Sequence, residues 1–99
     1  MENNEGKRQY DLDDRTFAFA KRVREFLKTL PKTISNFEDA KQLVRSSGSV
    51  GANYIEANES LGKKDFLMHI KICKKEAKES RYFLRLLTVT DEAEREELR

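Results

Sequence analysis

The chain holds one cysteine, one proline, one histidine and no tryptophan among its 99 residues. A single cysteine, Cys73, excludes an internal disulfide. It falls on an apolar helical position between Phe66, Ile70 and Ala77, which reads as a buried structural thiol rather than a nucleophile. His69 has no Cys or His partner at ligand spacing, so no metal site and no cofactor is expected. There is no apolar run long enough to span a bilayer and no signal-peptide pattern, so the expected location is the cytoplasm, with no membrane partner. No alternating strand pattern appears either. The expected fold class is all-α.

What the chain has in quantity is charge. Charged residues make up 38% and hydrophobic residues 37%, a balance that suits thin amphipathic helices with wide solvated faces. A monomer of this size and composition buries little, and self-association is the natural remedy. The net charge of +2 is unevenly spread. Residues 1–14 set Lys7 and Arg8 against Glu2, Glu5, Asp11, Asp13 and Asp14, a balance of −3. Residues 86–99 set Arg95 and Arg99 against Asp91, Glu92, Glu94, Glu96 and Glu97, again −3, which leaves +8 for the middle. A basic body between acidic ends attracts polyanions through phosphate neutralisation; the plainer account is that Lys and Arg keep helix faces soluble.

Residues 1–10 are polar, centred on Asn3-Asn4-Glu5-Gly6, and are expected to be a flexible N-terminus; residues 11–99 are expected to form a single helical-bundle domain. Asp11 or Asp13 can cap a first helix, whose apolar positions are Phe19, Ala20, Val23, Phe26, Leu27 and Leu30. Pro31 stops it. Ser35-Asn36-Phe37-Glu38 has the form of a capping box for a second helix, which runs to about Asn58. Ser60-Leu61-Gly62 makes a turn. The third helix starts near Lys63 and places Phe66, Ile70, Cys73, Ala77, Ser80, Leu84 and Leu87 on a heptad seam. Thr90 can cap a short fourth segment, Asp91 to Arg99, whose early acids suit a helix N-terminus. The architecture expected is an antiparallel up-down bundle, three long helices plus a short or truncated fourth.

The second helix carries two stripes. Leu43, Ser47, Val50, Tyr54 and Ala57 form a packing seam, while Gln42, Arg45, Ser49, Asn53 and Glu56 form a neighbouring polar one. Ser, Gly and Asn are poor helix formers, so something other than propensity favours them here. Small residues cluster at mid-helix, Ser46 to Ala52 in the second and Cys73, Ala77 and Ser80 in the third, and small side chains let two backbones approach. The second helix is therefore expected to pack on the third at these positions. The rival account makes Ser46-Ser47-Gly48-Ser49 a flexible or phosphate-cradling loop, but it lacks the spacing and the lysine of a P-loop, and the apolar period runs straight through it.

These residues carry a resemblance. Gln42-Leu43-Val44-Arg45-Ser46, Ser49-Val50 and Asn53-Tyr54-Ile55-Glu56, with Phe66 and Glu79 in the next helix, resemble the bacterial four-helix bundle proteins, also called 23S rRNA intervening-sequence or S23-like proteins. The resemblance covers about Thr16 to Leu87. It implies an up-down four-helix bundle, with homopentameric rings among the relatives. One related class, accessory proteins of diversity-generating retroelements, binds a reverse transcriptase and nucleic acid. Two departures stand out. Ala57 replaces a glycine common in the family, so the second helix is expected to run further before turning. The family's fourth helix is long, whereas this sequence stops at Arg99, which would leave an apolar face uncovered.

The polar stripe admits three roles: a hydrogen-bonded layer in which Arg45 pairs with Glu56 or Glu79, a surface that contacts RNA or DNA, or catalysis. The last is poorly supported, because no nucleophile–base pair can be named. The better polyanion candidates are Lys63, Lys64, Lys71, Lys74, Lys75, Lys78, Arg81 and Arg85 on the third helix. Lys64, Lys71, Lys75 and Lys78 share one sector, and Lys74, Arg81 and Arg85 share the next. Helix one adds Lys21, Arg22, Arg24 and Lys28. No aromatic residue interleaves among them as on single-strand platforms, so binding is expected to be weak and salt-sensitive; Tyr82 is the nearest exposed aromatic candidate, though its seam-edge position favours packing. The function expected is a non-enzymatic oligomeric module that contacts nucleic acid or a nucleic-acid enzyme; the alternative is a protein–protein adaptor.

Overall fold

The computed structural model describes residues 4–90 of the chain. They form three helices, α1 (Asn4–Leu27), α2 (Ile34–Asn58) and α3 (Lys63–Leu86), and no strand among the described residues. The fourth segment expected from Asp91 onward lies outside them. α1 begins upstream of the expected caps, so Asp11 and Asp13 lie within the helix; Asp11 instead accepts from Arg15 one turn on, at 3.5 Å. Residues expected to be flexible from Asn4 to Tyr10 are helical backbone.

α1 closes at Leu27, ahead of Leu30, and Lys28, Thr29 and Leu30 wind into a tighter turn, donating to carbonyls three residues back. Pro31 then prevents re-entry. The cap of α2 is Thr33, not Ser35: its hydroxyl accepts from the Asn36 amide at 3.1 Å. Ile34 is already helical, which leaves Ser35 inside the first turn, where a side chain no longer reaches the orphan amides.

α2 continues without interruption through Ser46, Gly48 and Gly51 to Asn58. Its seam faces inward as the spacing predicts, with Leu43, Ser47 and Ala57 buried and Val50 and Tyr54 half-buried. Contacts that step forward along α2 step backward along α3. Ser46 meets Ser80, the Val50 carbonyl meets Cys73, and Asn53 meets His69. The same reversal relates α1 to α2, since Gly51 lies against Thr16 and Gly48 against Arg24.

The small residues divide their work between two neighbours. Ser46 and Ser80, both fully buried, lie 2.9 Å apart across α2 and α3. Each hydroxyl also has a carbonyl of its own helix within reach, Glu76 at 2.9 Å from Ser80 and Leu43 at 3.4 Å from Ser46, so both donors are satisfied whichever hydroxyl donates to the other. The glycines instead serve α1. A β-carbon on Gly51 would stand 3.2 Å from Thr16 Oγ1, and one on Gly48 would stand 3.4 Å from the Arg24 guanidinium.

The core is small and sits where the end of α1, the start of α2 and the end of α3 converge. Val23, Leu30, Leu43 and Leu87 are buried there, backed by Phe19, Leu27, Phe83 and Leu84. Asn36 clasps this end. Its amide nitrogen donates to the carbonyls of Pro31 (2.9 Å) and Thr88 (2.8 Å), and its oxygen accepts from the Thr88 amide at 3.0 Å. One local and two long-range bonds satisfy a buried polar side chain that would otherwise be costly.

The seam expected on α3 holds in part. Ser80 and Leu87 are buried and Ile70, Cys73 and Leu84 are half-buried, whereas Phe66 and Ala77 are exposed and Glu76, off the seam, is buried. α3 turns its Glu76–Ser80 side to α2, while Ala77 and Leu84 line a cleft toward α1.

Candidate nucleic-acid interface

Arg45 reaches from α2 to α3 and gathers both inner carboxylates. It donates to Glu79 at 2.7 Å and to Glu76 at 3.3 Å. The Glu76 side chain is only 8% exposed, whereas Arg45 stays half in water at 50%. The hydrogen bond to Glu79, followed by the charge of Glu76, raises the Arg45 pKa above its usual value. Glu76 was not singled out from the sequence because it lies off the apolar heptad; its only signal is its spacing of one turn before Ser80. Glu56, the other expected partner, points to solvent, as does Gln42, and neither side chain joins the network among the described residues. Ser49 contributes its carbonyl, which accepts from Asn53 Nδ2 at 2.9 Å, and Asn53 Oδ1 lies 3.3 Å from His69 Nδ1. The polar stripe is thus two separate contacts between α2 and α3, not one closed layer.

The consequence for α3 is a separation of charge. Between Leu67 and Leu86 every carboxylate is turned toward α2, where Arg45 offsets it. The residues left exposed over that span are Lys71, Lys74, Lys75, Lys78, Arg81 and Arg85, together with the uncharged Leu67, Met68, Ala77, Tyr82 and Leu86. Lys63 and Lys64 extend the same exposed surface at the start of the helix, beside Asp65. With no acid interposed, neighbouring cations add their potentials rather than cancel. On α1 the cations are diluted: Lys28 is engaged by Glu25 at 3.4 Å, and Arg24 turns inward to the Ala20 carbonyl at 2.9 Å.

Two further features frame this surface. Leu67, Met68 and Ile72 line a shallow groove of about 510 Å³ edged by Lys64, Lys71 and Lys75. On the other side, between α1 and α3, Thr16, Phe19, Val50 and Leu84 line an apolar cleft of about 450 Å³ with Arg15 and Arg81 on its lining.

Cys73 is half-buried and donates to the Val50 carbonyl at 3.3 Å, and desolvation raises its pKa. It is a packing thiol rather than a thiolate. Among the described residues no three His, Cys, Asp or Glu side chains converge as a metal site requires, and no helix is long and apolar enough to cross a membrane.

Comparison with known proteins gives a family but not an activity. No curated protein matches the chain. The crystal structure of a protein with unknown function from the S23 ribosomal protein family of Bacteroides thetaiotaomicron VPI-5482 is similar, at 32% identity and a TM-score of 0.73, over 87% of this chain and 81% of that one. The family model for 23S rRNA-intervening sequence protein matches residues 8–99, nearly the whole length. On both grounds the chain belongs to the 23S rRNA-intervening sequence protein family.

Proposed function

We propose that this protein is a non-enzymatic, self-associating helical bundle that contacts nucleic acid through the outer face of α3. The observation that carries the proposal is the exposed side of α3 between Leu67 and Leu86, where six cations stand while Glu76 and Glu79 are paired with Arg45 toward α2. Such a face binds phosphates without reading bases, and its affinity falls steeply with salt. The family's name speaks of 23S rRNA, which favours RNA over DNA. The opposed runs of α1, α2 and α3 suit an up-down bundle, and the apolar cleft between α1 and α3 is where a fourth helix of such a bundle, or a second copy, would pack.

A titration with generic RNA at low and moderate salt tests this. The proposal expects binding at low salt and a fall in log K with log [salt] of about 0.7 per phosphate contact on a single strand. Absence of binding at low salt would overturn it. A second reading, a protein adaptor, is favoured by the same apolar cleft. It predicts that one polypeptide stays with the chain after nuclease treatment and that added RNA does not compete.

A further inference from the structure

We infer that the face binds unpaired nucleotides, with Tyr82 as the platform on which a base stacks. This rests on the polyanion reading above and narrows it. From the sequence Tyr82 reads as a packing residue; in the structure it is 57% exposed. It stands one turn after Lys78, two turns after Lys75 and one turn before Arg85, so cations flank it along the helix on both sides. Its ring meets Phe83 edge-on, at 5.3 Å between centroids and 76° between planes. In a T-shaped pair the edge of one ring meets the other, so at least one of the two faces of the half-exposed Tyr82 ring is not taken by Phe83.

Charge complementarity says that the occupant is anionic, and the apolar component says more. A plain duplex offers phosphates to such a face and keeps its bases stacked inside, so Tyr82 and its exposed neighbour one turn on, Leu86, would stay against water. A strand with unpaired bases covers both parts at once, its phosphates on Lys75, Lys78 and Arg85 and a base on Tyr82. Base–aromatic stacking is tolerant of sequence, because every base has a flat face.

The test uses the full chain, a short labelled oligouridylate and a blunt-ended RNA duplex with the same number of phosphates, read by fluorescence anisotropy. Tyr82→Ala is expected to weaken single-strand binding roughly five- to hundredfold, leave duplex binding unchanged and keep the salt slope. Tyr82→Phe retains single-strand binding. Lys78→Ala weakens both ligands and lowers the slope. Because Tyr82 is exposed, thermal melts of the variants should match the parent. Wild-type binding with no loss in Tyr82→Ala, or an equal loss on both ligands, overturns the stacking assignment alone. Failure of the wild-type chain to bind either RNA overturns the polyanion reading beneath it.

Discussion

The contact of α3 with α2 and that of α1 with α2 are built by different means. The first is stitched by side-chain hydrogen bonds along its length: Asn53 to His69, Cys73 to the Val50 carbonyl, Ser46 to Ser80, and Arg45 to both Glu76 and Glu79. The second relies on close approach at two glycines, with one long bond from Arg24 to the Val44 carbonyl at 3.5 Å. Directional bonds resist sliding and fix register, whereas a contact made by the absence of side chains tolerates displacement. α2 and α3 therefore form the stiffer unit, and it is the outer side of that unit that carries the cationic face. A surface intended to hold a flexible polymer gains from a rigid support, because less ordering entropy is lost on binding.

Several substitutions set the two contacts against each other. Leu43 is fully buried where all three helices meet, so Leu43→Ala should cost about 2–5 kcal/mol and loosen both contacts, seen in urea unfolding. Asn36→Ala strands the Thr88 amide and should cost about 1–3 kcal/mol in the same assay, without weakening the middle of the α2–α3 contact. Ser80→Val enlarges a fully buried side chain and removes the hydroxyl that meets Ser46, and should cost about 1–3 kcal/mol, with hydrogen exchange accelerated in α2 and α3 together. Gly48→Ala goes the other way. Its methyl meets only the end of Arg24, and the helix gains up to about 1 kcal/mol in propensity; Gly51→Ala should gain less, because its methyl presses on Thr16. A destabilising Gly48→Ala would show that α1 is held as tightly as α3.

The smallest effect concerns Cys73. Its pKa is higher in the folded chain than in the unfolded one, because burial disfavours the thiolate. Folding therefore gains from the protonated thiol below the unfolded pKa and loses that gain as pH rises through the folded one. Alkylation by iodoacetamide at neutral pH should be slower in the folded protein than in urea. Equal rates would place Cys73 outside the α2–α3 contact.

Much of α2 was legible in the sequence, because its signals are local and dense. The period of Leu43, Ser47, Val50, Tyr54 and Ala57 specifies both the helix and its inward side, and it passes through Gly48 unbroken. α3 was legible as a helix and, in part, in its rotation. Of the seam Phe66, Ile70, Cys73, Ala77, Ser80, Leu84 and Leu87, Cys73 and Ser80 do meet α2, while Phe66 and Ala77 are exposed and the off-seam Glu76 is buried. Periodicity gives a stripe without saying which neighbour covers it, and α3 borders both α2 and the cleft. Glu76 escaped notice for a related reason: a buried carboxylate looks like a solvated one until its partner is seen, and Arg45 lies on another helix. The cation set on α3 was readable, and Tyr82 was legible as the nearest exposed aromatic candidate, but its seam-edge position favoured packing over the exposure it has. Asn36 had only a local signal, its place in the first turn after Thr33, and nothing in sequence links it to Thr88.

The central claim is that the cations of α3, and not the basic content at large, engage the nucleic acid. Its most direct test is RNA binding by two charge-reversed proteins, Lys75→Glu with Lys78→Glu on α3, and Lys21→Glu with Lys28→Glu on α1, which change net charge equally. The α3 pair should lose binding at low salt and the α1 pair should keep most of it. Equal losses in the two proteins would contradict the account.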